Sequence, residues 1–97
     1  MTYKLHPAAE AELTHAVLYY AKEASSGIAL AFLGEFERVA EWIQANPQLG
    51  TPSRHGLRVY PFRRFPHSIV YRESAGGPLI YAVTHHRQRP GYWLGRL

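Results

Sequence analysis

Residues 66–86 read PHSIVYRESAGGPLIYAVTHH. Two runs of β-branched, aliphatic and aromatic side chains flank a Ser-Ala-Gly-Gly-Pro break. Such runs suit a pleated backbone, and Gly and Pro suit a chain reversal. The pattern predicts an antiparallel hairpin, with strands over 66–73 and 79–86 and a turn at 74–78. The second strand is almost wholly apolar and therefore belongs inside the sheet. Just upstream, Leu57-Arg58-Val59-Tyr60 alternates, and Pro61, which has no N–H to give a ladder, marks the end or edge of a third strand.

The first half of the chain follows a different period. Ala9, Leu13, Ala16, Val17 and Tyr20 form one apolar stripe of a helix, with Pro7 near its first turn. Ser25-Ser26-Gly27 interrupts that stripe and offers a cap for a second helix. There Phe32, Phe36, Val39, Ala40 and Ile43 repeat the pattern until Asn46-Pro47 stops it. Glu35, Arg38 and Glu41 are expected on the solvent face of this helix, spaced for i,i+3 pairing. Residues 2–6 read as a short strand, and residues 47–56, rich in Pro, Gly and polar side chains, as a linker.

The order is thus β-α-α-β-β-β. It predicts a single α+β domain, an antiparallel sheet with an N-terminal helical hairpin packed on one face. The hairpin should span about 7–46, the sheet about 57–87 and a tail 88–97. The first strand should join at an edge or beside the last strand. No element remains for the second sheet face, which is expected to stand open as a working surface.

Charge separates the halves. Residues 1–50 hold Lys4, Lys22 and Arg38 against six glutamates, a net −3. Residues 51–97 hold eight arginines against Glu73 alone, a net +7. Arginine grips carboxylates and phosphates in a bidentate fork and stacks on flat rings, so an anionic partner is expected: nucleic acid or an acidic protein segment. The alternative is a solvated basic face that only aids solubility. The residues singled out for target binding are Arg58, Arg63, Arg64, Arg72, Arg87, Arg89, Tyr92, Trp93 and Arg96. Tyr60, Tyr71 and Tyr81 interleave with them, either as stacking platforms or as core.

Other chemistries find little footing. The chain has no cysteine, so thiolate metal sites and disulfides are excluded. Neither a signal-peptide pattern nor an apolar run long enough to span a bilayer is present, and a cytoplasmic location is expected. His85 and His86 are adjacent on a strand and should point to opposite faces, a poor start for a metal site even with His55 or His67 as a third ligand. A histidine with a pKa near neutrality can instead serve as a general acid or base. No Ser-His-Asp set, phosphate loop or catalytic carboxylate pair stands out, and no cofactor or metal is expected.

Several stretches resemble the RelE/ParE toxin superfamily. Residues 65–72, FPHSIVYR, are similar to its F-P-[YH]-x-I-x-Y strand. Residues 83–96, VTHHRQRPGYWLGR, resemble its V-x-H-x-R-R-x-P-x-Y-W-x-x-R ending, which leans to the ParE side. Residues 7–13 with Tyr19-Tyr20, the loop 46–50 and Gly56-Leu57-Arg58 also fit. The resemblance implies the fold read above and a toxin made beside a cognate antitoxin whose C-terminal segment wraps and blocks it. A ParE-type toxin poisons DNA gyrase and reaches operator DNA only through its antitoxin. A RelE-type toxin instead cuts ribosome-bound mRNA. On that alternative Arg72, His85, Arg87 and Tyr92 are the catalytic candidates, weakened by the absence of lysine after residue 22. A third possibility is an inactive toxin that acts only with its antitoxin in operator repression.

Overall fold

The computed structural model describes residues 3–97. Its strands are β1 (Lys4–Leu5), β2 (Thr51–Pro52), β3 (Arg58–Pro61), β4 (His67–Arg72) and β5 (Leu79–His85), and its helices are α1 (Pro7–Glu23) and α2 (Ser26–Ala45). Two short 3-10 turns, Arg54–Gly56 and Tyr92–Arg96, complete it. The first strand, expected over residues 2–6, is described from Lys4; Thr2 lies outside the described residues.

Both helices begin where local chemistry supplies a cap. His6 accepts a hydrogen bond from the Ala8 N–H at Nδ1, 3.0 Å away, and Pro7 takes the first helical position. Ser25 Oγ accepts from the Ile28 N–H at 3.1 Å and starts α2. Each cap satisfies a donor that the helix itself leaves unpaired.

The strands form one sheet in the order β1-β5-β4-β3-β2. β1 runs parallel to β5, and every other pair is antiparallel. The first strand therefore lies both at an edge and beside the last strand. Register shifts between Val70, opposite Ala82, and Tyr71, opposite Ile80. The extra residue, Tyr81, is a β-bulge, and it turns Tyr81 and Ala82 onto the same face.

The main core fills the space between the helical hairpin and the sheet. Phe32, Phe36, Val39, Ala40 and Ile43 of α2 meet Ile69, Tyr71, Ile80 and Val83. The helical stripes are thus the buried faces that their spacing predicts.

Three expectations need correction. The second sheet face is not open: Leu57, Val70, Tyr81, Ala82 and Trp93 form a second core there, with Leu94 and Tyr92 packed against it. The C-terminal turn folds back over the sheet because Trp93, only 9% exposed, is too large an apolar group to leave in water. The stretch 47–56 is not a bare linker, since Thr51–Pro52 pairs with Arg58 and Val59 as an edge strand. Finally, Glu35 does not face solvent. It is 3% exposed, and its Oε2 accepts from the backbone N–H groups of Arg63 and Arg64.

Candidate functional site

Because β1 covers only Leu79 and Ile80, the outer edge of β5 beyond them has no strand partner among the described residues. Side chains take the place of a strand. Glu12 Oε1 accepts from the Val83 N–H at 3.0 Å, and Gln88 Oε1 accepts from the His85 N–H at 2.8 Å. Arg96 donates to the Tyr81 carbonyl at 2.8 Å. An exposed strand edge invites pairing with other chains, and this one is capped.

Glu12 is the centre of that cap. Its carboxylate also accepts from the Tyr92 hydroxyl at 2.8 Å and from both Arg96 terminal nitrogens, at 3.1 and 2.8 Å. Burial, with Glu12 adding to it, pushes the Tyr92 hydroxyl up to about 12. The hydrogen bond to Glu12 raises the Arg96 pKa as well. The guanidinium lies 5.1 Å from the Tyr92 ring centre. Tyr92 and Arg96, both expected at a target surface, are therefore tied to α1 and hold the tail in place.

Between α1 and the far end of β5 lies a half-open groove of about 450 Å³. Ala11, Glu12, His15, Ala16, Tyr19 and Tyr20 of α1 form one wall, and His67, Val83, His85 and Gln88 the other. Tyr19 is well exposed, as is Leu18 beside it. His67 sits among the rings of Tyr20, Phe32 and Phe62, and the His85 ring is 4.9 Å away, edge to face. Burial and the neighbouring His85 and His86 lower the His67 pKa to about 4. Its Nδ1 is buried without a hydrogen-bond partner. At neutral pH it is thus a neutral aromatic member of the core.

His85 and His86 point to opposite sides of the sheet. His85 lines the groove and accepts the Arg87 N–H at Nδ1, 3.0 Å away, whereas His86 Nε2 lies 2.9 Å from Ser68 Oγ. Among the described residues no group of three or more His or Glu side chains is arranged to hold a metal.

The arginines do not share one face. Arg58 donates to the carbonyls of Gln48 and Gly50, at 3.2 and 2.8 Å, and fastens the loop after α2. Arg72 donates to the His55 carbonyl and the Tyr81 hydroxyl, each at 3.1 Å, and its guanidinium is 5.4 Å from the Tyr81 ring centre. His55 has φ of 60°, a left-handed conformation unusual outside glycine, and the Arg72 bond helps hold it. Arg63 and Arg64 lie over α2 beside Glu35. Arg87 and Arg89 are exposed in the turn that follows β5. Arg54, absent from the expected set, comes near Gly91 at the start of the C-terminal turn.

Of the four residues of the ribonuclease alternative, His85, Arg87 and Tyr92 lie near one another and Gln88, and Arg72 stands apart. Arg72 is opposite Leu79 at one end of β5 and His85 stands at the other end, a separation of roughly 20 Å along the strand. The Tyr92 hydroxyl is already committed to Glu12. Glu12, His15, Gln88 and Arg54 were missed by sequence reasoning. The partners of Glu12 lie 71 to 84 positions away, and no local pattern signals them.

A helical hairpin on a mixed sheet is a RelE/ParE-like α+β architecture. Residues 3–90 match the family described as ParE toxin of type II toxin-antitoxin system, parDE, and the chain belongs to that family. A solved structure described as the chromosomal ParDE TA system from P. aeruginosa matches it with a TM-score of 0.76 at 24% sequence identity, covering 88% of this chain and 95% of that one. At that identity the likeness concerns the fold. No curated protein matches.

Proposed function

We propose that this ParE-family chain arrests bacterial growth by binding DNA gyrase and that a cognate antitoxin neutralises it in the cytoplasm. Operator DNA is reached only through the antitoxin. The observation that carries the reading is an adjacency: Gln88 lines the α1–β5 groove, and Arg87 and Arg89 flank it in the same exposed turn. A segment seated in the groove therefore runs past the turn that carries both arginines. The apolar wall of α1 suits an amphipathic antitoxin helix, and acidic side chains at its edge would meet the arginines.

Within the nine residues expected at the target surface, Arg87 and Arg89 carry the grip, with Arg72 further back on the second face. Arg58, Tyr92, Trp93 and Arg96 serve the fold instead. Among the described residues no helix is long and apolar enough to cross a membrane.

The test is inhibition of gyrase supercoiling by the purified chain, relieved by a peptide of the antitoxin's C-terminal segment. Supercoiling that continues unchanged under excess toxin overturns the gyrase reading. Cleavage of ribosome-bound mRNA in a primer-extension assay would replace it.

A further inference from the structure

On the other side of the helical hairpin, Glu35, Arg38, Trp42, Arg63 and Arg64 line a second cavity of about 390 Å³. Glu35, Arg38 and Trp42 stand at i, i+3 and i+7, one face of α2. Arg63 and Arg64 come from the loop between β3 and β4, which Glu35 anchors through both backbone N–H groups. The remaining Glu35 oxygen, Oε1, is buried with no hydrogen-bond partner. Arg64 Nε stands 3.7 Å from it, on a side chain 68% exposed. Arg38 and Arg63 make no ion pair among the described residues.

Three guanidinium groups against one carboxylate leave the lining with a net charge of +2. Trp42 is 38% exposed, a large share for an indole, and meets Tyr60 edge-on at 6.5 Å between ring centres. Glu37 and Glu41, the other acids of this part of α2, lie towards Tyr3, whose hydroxyl pKa they help burial to raise.

We propose that this cavity binds a nucleotide, its phosphate held by Arg38, Arg63 and Arg64 and its base stacked on Trp42. Glu35 acts as a positioning residue, fixing the loop so that the two arginines it carries are already in place. A phosphate dianion matches the net charge and the forked donors. An acidic peptide would satisfy the cations but leave the indole bare, whereas a base uses it. The chemistry is shared by a free nucleotide and by the phosphorylated end of a single strand of nucleic acid. The inference is independent of the gyrase reading, which uses other residues.

Trp42 and Trp93 are the two tryptophans of the chain, and Trp93 is buried, so titration of the indole fluorescence reads the site directly. The full chain is titrated with AMP, GMP, a short single-stranded oligonucleotide, inorganic phosphate and a glutamate oligopeptide. Saturable quenching by the nucleotides is expected, with phosphate competing only at concentrations at least about tenfold higher, because it lacks the stacked ring. An oligonucleotide that binds more tightly per site than AMP assigns the site to a strand; equal binding assigns it to free nucleotide. Arg38→Ala with Arg63→Ala should weaken binding about tenfold or more, the scale of one charge-assisted hydrogen bond. Trp42→Phe should remove the quenching, with circular dichroism unchanged. Absence of saturable quenching, equal binding of the acidic peptide, or wild-type affinity in the folded double variant overturns the proposal.

Discussion

His67 shows how a single residue links the groove to stability. Its ring is 5% exposed, and burial together with two neighbouring histidines holds its pKa near 4, against an ordinary value of 6.5. The unfolded chain therefore takes up a proton below pH 6.5 that the folded chain refuses until about pH 4. The stability tied to this group is whole above the unfolded value and is lost as pH falls towards the folded one. From pH 7 to pH 5 the loss should be about 2 kcal/mol. Urea denaturation at the two pH values measures it, and His67→Phe, which keeps a ring among rings, should remove most of the difference. A variant with the same pH dependence as the parent would move the effect to another group. A second residue-scale case is Gly50, whose N–H donates to the Tyr71 hydroxyl at 2.9 Å while that hydroxyl donates to the Pro47 carbonyl at 2.7 Å. A Cβ at position 50 would stand 2.9 Å from Tyr71 atoms and 3.1 Å from Arg58 Cβ. Gly50→Ala should therefore cost about 2 kcal/mol in thermal or urea unfolding, by overpacking and by breaking this bond pair.

At the scale of elements, the decisive contact joins α1 to the C-terminal turn. Glu12 and Arg96 are each about four-fifths buried, with side chains 20% and 18% exposed, so salt screens their pair less than a surface pair. Glu12→Ala strands the Val83 N–H and frees Tyr92 and Arg96 together. A loss of about 2–3 kcal/mol is expected. Amide exchange should quicken first at the end of β5 and in the turn, because this element depends most on the network. Uniform quickening across the sheet would show instead that Glu12 supports the whole domain. The same contact marks the limit of sequence reading. The helices and the β4–β5 hairpin were legible because burial repeats with a local period, 3.6 or 2, over many residues. The C-terminal turn has five residues and no repeat, so its cover of the second face was not. Glu35 was misread for a related reason: the loop that buries it lies 28 and 29 positions further on. Arg58 and Arg96 were rightly seen as cations, but their partners are backbone carbonyls and a distant carboxylate, which no spacing rule reveals.

At the scale of the molecule, the charge contrast between the two halves does not become one cationic face. Folding spends part of it internally, on the Gly50 and Tyr81 carbonyls and on Glu12 and Glu35. Most of what remains exposed is divided between the turn after β5 and the loop over α2, with Arg54 beside the C-terminal turn. If the proposed function holds, these two groups should separate by mutation. Arg87→Ala with Arg89→Ala removes two solvent-exposed side chains with no hydrogen bond from either guanidinium among the described residues, so the melting temperature should stay close to that of the parent. Toxicity on expression without antitoxin should nevertheless be abolished, and antitoxin affinity should fall only partly, since the groove still supplies apolar contact. Raising salt should weaken binding to gyrase in the parent more than in the double variant, because the lost charges are the screened ones. Growth arrest by the folded double variant, at the parent's expression level, would take this turn out of the toxic surface.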